Sequence, residues 1–262
     1  MTKQLMIYER AVPVSSQSHR EWSVKMGNDY SFANSVNSVP LLAAEFRTAA
    51  QEYAIVFAGD GNDVVPSVIL GVRDGENSNV DADGAWTGNY VPAFLRRYPF
   101  VFSRSDDQKE FVLCIDESFD GFNTDGKGER LFDSEGERTA FLKDKLTFVS
   151  EYQALFERTA VFCKRLQDHN LLDEAQAQFN LADGQTAALS GFFTINREKL
   201  KALPSEVLLE MMGTDELELC YAHLFSLGNL TPMAQKVTGS APQDSATAKK
   251  KTTAKAKTKT DA

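Results

Sequence analysis

The sequence has few of the residues on which common catalytic and redox sites depend. It contains three cysteines, Cys114, Cys163 and Cys220, which are far apart and lie among apolar residues. An odd number of separated cysteines excludes a disulfide framework and a Cys-x-x-Cys site. We therefore expect buried, reduced thiols and a reducing compartment. The three histidines are isolated, so a zinc-protease or non-haem iron motif is also excluded.

Motifs for nucleophiles, phosphates and membranes are missing as well. There is no Gly-x-Ser-x-Gly and no glycine-rich loop followed by Lys-Ser/Thr, so we expect no cofactor. No apolar run approaches the roughly 20 residues of a transmembrane segment. Residues 1–10 lack the apolar stretch of a Sec signal peptide, which predicts a cytoplasmic protein. The alternative is a cell-surface protein exported without a cleaved signal peptide.

Charge is divided unevenly between the body and the C-terminus. The net charge is -9, but residues 249–262 carry six lysines and one aspartate, which leaves -14 for residues 1–248. An acidic body argues against nucleic-acid binding by the folded part. Residues 240–262 have no large apolar side chain and are predicted to be disordered. This tail is either an arm for an anionic partner, such as nucleic acid or a membrane, or a solubilising segment without a partner.

The body is predicted to be an α+β domain, in which a mostly antiparallel sheet packs on one long helix. Residues 1–138 form the β-rich part, with strand candidates at 53–57, 67–72, 100–102 and 111–115. From Thr139 the apolar spacing changes to three and four residues, which predicts a long helix to His169. The rest of 139–235 is expected to be mainly helical, apart from a strand at Gly191–Ile195. At 217–227 the pattern favours a helix over a strand.

The segment from Tyr90 to Phe102 contains five aromatic residues and two prolines. Pro92 is expected to open a short helix that Pro99 ends, with Arg96 and Arg97 between them. Aromatic and arginine side chains are the usual anchors of binding surfaces. We therefore expect a binding surface at Trp86, Tyr90 and Arg96.

Candidate acid/base chemistry lies close by in the predicted fold. Asp116 and Glu117 end a predicted strand, Arg96 or Arg97 offers an anion-binding fork, and His19 is a further candidate. Adjacent side chains diverge, so one member of each pair at most enters a given pocket. The favoured interpretation is a structural ion pair between the arginines and these carboxylates across the hairpin.

One stretch partly matches a calcium-binding loop. Asn79, Asp81, Asp83 and Gly84 occupy its first, third, fifth and sixth positions. The twelfth position is Tyr90, so the bidentate carboxylate that closes such a site is missing. An acidic turn is the favoured interpretation, and no metal is expected.

Short islands spread over roughly residues 5–232 resemble the SapC family of bacterial proteins. They include Val12-Pro13, Glu45-Phe46, Tyr53–Phe57, Gly84–Trp86, Tyr90–Pro92, Leu95–Phe100, Cys114–Glu117, Arg130–Asp133, Tyr221–Leu224 and Ser226–Asn229. The resemblance implies a cell-surface setting, with secretion or assembly of a paracrystalline layer, and supplies no catalytic residues. The leading hypothesis is a non-enzymatic binding or assembly protein, with a protein or surface component as partner. The alternative is an enzyme or enzyme accessory that acts on a small molecule or peptide through an arginine/carboxylate pocket.

Overall fold

The computed structural model describes residues 6–60, 63–104, 111–181 and 184–236. The predicted disordered tail, residues 240–262, lies outside these ranges. In the part described, most of the strands lie in the first half of the chain. The strands are β1 (Ala11–Pro13), β2 (Ser23–Val24), β3 (Ser38–Pro40), β4 (Ile55–Gly59), β5 (Val64–Ile69), β6 (Phe100–Arg104), β7 (Phe111–Asp116), β8 (Phe122–Asn123), β9 (Glu129–Arg130), β10 (Leu172–Asn180) and β11 (Thr186–Ile195). The α-helices are α1 (Ser16–His19), α2 (Phe46–Ala49), α3 (Ala93–Arg96), α4 (Ala140–Asp168), α5 (Arg197–Lys201), α6 (Ser205–Gly213), α7 (Glu216–Ser226) and α8 (Leu230–Lys236).

The strands form three antiparallel sheets. The largest has five strands in the order β10-β11-β4-β5-β3, and two smaller sheets have the orders β1-β7-β6 and β8-β2-β9. In the five-stranded sheet, β4 pairs with β5 on one side and with β11 on the other, through Phe57 opposite Phe193. The central strand is thus paired with a strand from the far end of the chain.

Helix α4 joins two hydrophobic cores. Its N-terminal half contributes Leu142 and Val149 to a core shared with the smaller sheets. Its C-terminal half contributes Phe162 and Leu166 to the main core, against the five-stranded sheet and the C-terminal helices. Thr139 caps the helix, because its side chain accepts a hydrogen bond from the Leu142 N–H. The predicted helix is confirmed to within one residue at each end.

A third apolar cluster covers the other face of the five-stranded sheet. Val56 and Phe192 lie on this face, and Met233 and Ala234 of α8 pack against it. The five-stranded sheet is therefore covered on both faces, by α4 and the C-terminal helices on one and in part by α8 on the other.

The α+β class with antiparallel sheets, a long helix and a C-terminal helical portion is confirmed. The helix over 217–227 is confirmed by α7, and the short helix after Pro92 by α3. Two details differ from the sequence prediction. The strands form three sheets instead of one, and β10 is a strand within the portion that was predicted to be mainly helical. The described residues contain no helix that is both long and apolar enough to cross a membrane.

Candidate binding site

Every polar backbone and side-chain group of Tyr90 is engaged by neighbouring residues. Its backbone N–H donates to the Glu52 carboxylate at 3.2 Å, and its carbonyl accepts from the Trp86 indole at 3.0 Å. The Tyr53 hydroxyl donates to the same carbonyl. The Tyr90 hydroxyl donates to Glu45 at 2.6 Å. Tyr90 and Trp86 are half-buried and held in one arrangement.

Glu45 is the buried anchor of this arrangement and is only 7% exposed. Besides the Tyr90 hydroxyl, it accepts the backbone N–H groups of Ala93 at 2.7 Å and Leu42 at 2.9 Å. Hydrogen bonds to a charged acceptor are among the stronger ones in proteins. Burial, and then the hydrogen bond to Glu45, raise the pKa of Tyr90 to about 12. Glu45 thus ties the start of α3 to the chain before α2.

The two adjacent arginines point into different surroundings. Arg96 is exposed; its Nε donates to the Val91 carbonyl at 3.0 Å, and its guanidinium lies over the rings of Tyr90 and Phe148. Arg97 is 2% exposed, and its guanidinium lies 4.5 to 4.6 Å from the ring centroids of Phe94 and Tyr152. Arg96 is therefore the arginine of this pair that faces outward.

The candidate carboxylates are engaged elsewhere. Asp116 is completely buried and accepts the backbone N–H groups of Glu9 at 2.8 Å and Arg10 at 3.0 Å. Glu117 forms an ion pair with Arg10 at 3.3 Å and a hydrogen bond with His19 at 3.1 Å. These contacts fix the N-terminal segment beside β7. The sequence predicted an ion pair between these carboxylates and Arg96 or Arg97. The contacts given above join the carboxylates to Glu9, Arg10 and His19.

His19 is 1% exposed and lies within the same network. Its Nδ1 accepts the backbone N–H of Ser15, so the hydrogen-bond pattern assigns the proton to Nε2, which donates to Glu117. The ring also makes an edge contact with Trp22. The structure therefore brings His19 and Glu117 together, but in a buried network and away from Arg96.

Arg96 lines a cleft of about 320 Å³. The cleft lies between the loop after β2, helix α3 and the loop after β7. Its walls combine aromatic and charged side chains: Lys25, Met26, Asp29, Tyr30, Phe32, Leu95, Arg96, Tyr98, Phe119 and Asp120. The Tyr30 ring contacts the Trp86 ring at a centroid distance of 5.6 Å, which joins the cleft to the surface at Trp86, Tyr90 and Arg96.

The calcium-like stretch supports one wall of this cleft. Asp81 accepts the backbone N–H groups of Asp83 and Ala85, and the Asn79 amide donates to the Leu70 carbonyl. Gly84 has φ +81, and a Cβ there would lie 2.4 Å from the Asp29 carboxylate. No cluster of three or more His, Cys, Asp or Glu side chains suited to a metal occurs in the described ranges. The candidate ligands serve as turn residues beside Asp29.

Comparison with known proteins bears on the whole domain. The model of the SapC family matches residues 14–233. The chain belongs to the SapC family. Neither the curated proteins nor the solved structures contain a match to it. Membership confirms the sequence resemblance, and the matched range contains every cleft residue of this SapC domain.

Several residues that build the SapC site were not singled out from the sequence. Glu45 and Glu52 lie in and just after a short helical stretch, and Tyr30 and Phe32 lie in a polar segment of the sequence. The partners of Glu45 and Glu52 in the segment from Asn89 to Ala93 lie 37 to 48 residues away along the chain, so no local pattern connects them. Among the residues that contact Tyr90, Glu45 and Tyr53 could have been noticed in the sequence, because both belong to the islands that resemble the SapC family.

Proposed function

We propose that this SapC-family protein is a non-enzymatic binding or assembly protein, and that it binds its partner at the surface formed by Trp86, Tyr90 and Arg96. The observation that carries the proposal is the contrast between Tyr90 and Arg96. Tyr90 is held at its N–H, its carbonyl and its hydroxyl, whereas the neighbouring guanidinium is exposed. A surface that is rigid before binding loses little conformational entropy on association.

The composition of the surface supports the same proposal. Tyrosine, tryptophan and arginine are enriched among residues that dominate binding energy. Arg96 uses Nε and Nη2 for the Val91 carbonyl and the Tyr90 hydroxyl, and its Nη1 makes no hydrogen bond with the described residues. A partner with an exposed carboxylate or carbonyl would meet that free donor. A component of the cell surface layer is the partner that the family name suggests.

The enzyme alternative has less support from the same residues. It required an arginine, Asp116 and His19 to meet in one open pocket. Asp116 and His19 are 0% and 1% exposed, and neither lines the cleft with Arg96. A general base must reach its substrate within hydrogen-bond distance, directly or through one water. Asp116 instead accepts hydrogen bonds from the backbone of Glu9 and Arg10, and His19 contacts Ser15 and Glu117.

The proposal is tested by site-specific photocrosslinking in cells. A photoreactive side chain is placed at the exposed Thr87, and the matched control is placed at the exposed Ala202. Arg197 provides a matched arginine, since its guanidinium also lies over a tyrosine ring, that of Tyr221. We expect discrete crosslinks from Thr87 that Arg96→Glu removes and Arg197→Glu leaves. Identical products from both positions, or no effect of Arg96→Glu, would contradict the proposal. Fractionation of the crosslinked cells tests the link to the surface layer.

A further inference from the structure

We infer that the cleft beside Arg96 binds a zwitterionic ligand of amino-acid type, a single amino acid or a very short peptide with an aromatic or bulky apolar side chain. This inference rests on the proposed function, because Arg96 belongs to both sites. It adds the chemical class of the ligand. Four observations carry it: the charges, their lack of ion-pair partners among the described residues, the aromatic walls and the volume.

The charges in the cleft are balanced and unpaired. Two cations, Lys25 and Arg96, and two anions, Asp29 and Asp120, line the same space. Within the described residues, none of these four side chains forms an ion pair with another protein group. A purely anionic ligand would be repelled by the carboxylates and a purely cationic one by the cations. A dipolar ligand without net charge can contact the cations with its negative end and the carboxylates with its positive end.

The charged groups have distinct positions along the cleft. The Arg96 guanidinium lies beside Tyr90, since its Nη2 donates to the Tyr90 hydroxyl at 3.4 Å. Asp120 follows Phe119 on the loop after β7, and the Phe119 ring contacts the Tyr98 ring at a centroid distance of 5.5 Å. A carboxylate at Arg96 and an ammonium group at Asp120 would therefore be spaced along one ligand.

Asp29 is the less suitable partner for the ammonium group. Its carboxylate accepts the Ser31 backbone N–H at 2.8 Å, and hydrogen bonds from Ser31 lower its pKa. It therefore stays charged, but part of its hydrogen-bonding capacity is already used. Asp120 accepts no hydrogen bond from the described residues and is exposed. We assign Asp120 to the ammonium group for this reason.

The apolar part of the ligand is specified by the walls. Phe32 stacks on Tyr98 with ring centroids 4.1 Å apart, and Phe119 meets Tyr98 edge to face at 5.5 Å. Together with the buried Leu95 these rings offer a preformed surface for a flat or bulky side chain. The volume of about 320 Å³ lies at the lower end of ligand pockets, which run from roughly 300 to 1,000 Å³. An extended peptide or a large cofactor is too large.

The shape of the cleft depends on close backbone contact at Gly121. The Lys25 N–H donates to the Gly121 carbonyl at 2.9 Å, which joins the loops after β2 and β7. A Cβ at residue 121 would lie 2.6 Å from the Lys25 carbonyl and 2.3 Å from the Phe119 ring. Any larger residue there pushes Phe119 or the Lys25 loop away. Both sides of the cleft are thus held at a fixed separation.

The test is calorimetric titration of the full chain with phenylalanine and three derivatives. N-acetylphenylalanine lacks the ammonium group, phenylalanine amide lacks the carboxylate, and N-acetylphenylalanine amide lacks both. We expect phenylalanine to bind and each singly blocked derivative to bind about tenfold more weakly, as one partly exposed charged hydrogen bond is lost. Arg96→Ala should weaken the binding of phenylalanine but not that of phenylalanine amide. Asp120→Asn should weaken the binding of phenylalanine but not that of N-acetylphenylalanine. Arg197→Ala is the matched control and should change neither.

The outcomes separate this inference from the proposed function. Equal binding of phenylalanine and its doubly blocked derivative would overturn it, as would no binding of phenylalanine up to about 10 mM. The inference would also be overturned if Arg96→Ala weakened the binding of phenylalanine amide, or if Asp120→Asn weakened the binding of N-acetylphenylalanine. If Thr87 crosslinks persist while phenylalanine fails to bind, only the ligand class is wrong. A zwitterionic dipeptide, phenylalanyl-alanine, shows whether the cleft takes a short peptide or a single amino acid, and tighter binding of either supports the inference.

Discussion

Replacing Glu45 tests how the Tyr90 segment is held. In Glu45→Ala, three donors lose their acceptor: the Leu42 and Ala93 backbone N–H groups and the Tyr90 hydroxyl. A hydrogen bond to a charged acceptor contributes about 1.5–3 kcal/mol, and an orphaned buried donor costs about 1–3 kcal/mol. Release of the buried charge offsets part of that loss. We expect a decrease of about 3 kcal/mol in the free energy of unfolding.

The conservative variant Glu45→Gln tests how much of the decrease in the free energy of unfolding comes from the loss of a single acceptor. Its carbonyl oxygen can still accept from Tyr90 and Ala93, but its amide group faces the Leu42 N–H, and two donors then oppose each other. We expect a loss of about 1–2 kcal/mol. The assay is urea unfolding followed by circular dichroism and by tryptophan fluorescence, which reports on Trp22 and Trp86. Coincident transitions establish that the two-state treatment holds.

The control for Glu45 is a carboxylate in the same region that makes no hydrogen bond with the described residues. Glu151 lies on α4 beside the same small cavity as Glu45 and Arg96, and it is exposed. Glu151→Gln should stay within about 0.5 kcal/mol of the parent, as surface substitutions usually do. A loss below about 1 kcal/mol for Glu45→Ala, or equal losses for the two sites, would refute the anchoring role of Glu45.

Two further predictions concern buried groups away from the cleft. Burial lowers the pKa of His223 to about 4, and its Nε2 accepts the Ile195 N–H at 3.0 Å. The unfolded state takes up this proton first, near pH 6.5, so stability is full above that pH and falls by about 3 kcal/mol towards pH 4. Urea titrations at several pH values should show that the free energy of unfolding falls less steeply with decreasing pH in His223→Gln than in the parent. An unchanged pH dependence would contradict the prediction. Burial also raises the pKa of Cys163 and Cys220 to about 12, so iodoacetamide should label them only after unfolding in urea. Rapid native labelling, measured by mass spectrometry, would contradict it.

The sequence predicted elements whose signal is local and periodic. Helix α4 has both an apolar stripe and a capping threonine, and its ends were placed to within one residue. Strand β10 was missed because Glu174, Gln176 and Gln178 are common helix residues. In the structure these three face solvent, while alternate residues pack on the sheet, so tertiary context decides the conformation.

In the candidate site, too, the sequence predicted features set by neighbouring residues but missed contacts between residues far apart in the chain. Adjacency correctly predicted that Arg96 and Arg97 would diverge, because neighbouring side chains cannot share a direction. Their surroundings were not predictable in this way. The contacts of Tyr90 come from Glu45 and Glu52, about forty positions away, and only the folded chain brings these residues together. The role of Trp86, Tyr90 and Arg96 in binding stays a prediction.

The pairing of β4 with β11 has a consequence for synthesis on the ribosome. One side of β4 bonds to β5, which follows within a few residues, but its other side waits for Phe192 and Phe193, more than 130 residues later. Until that segment emerges, the nascent chain presents an apolar strand with an open hydrogen-bonding edge. Sheets built from distant segments also fold slowly, since long loops must close first. We therefore expect the interval between translation of β4 and release of β11 to be the stage most prone to aggregation.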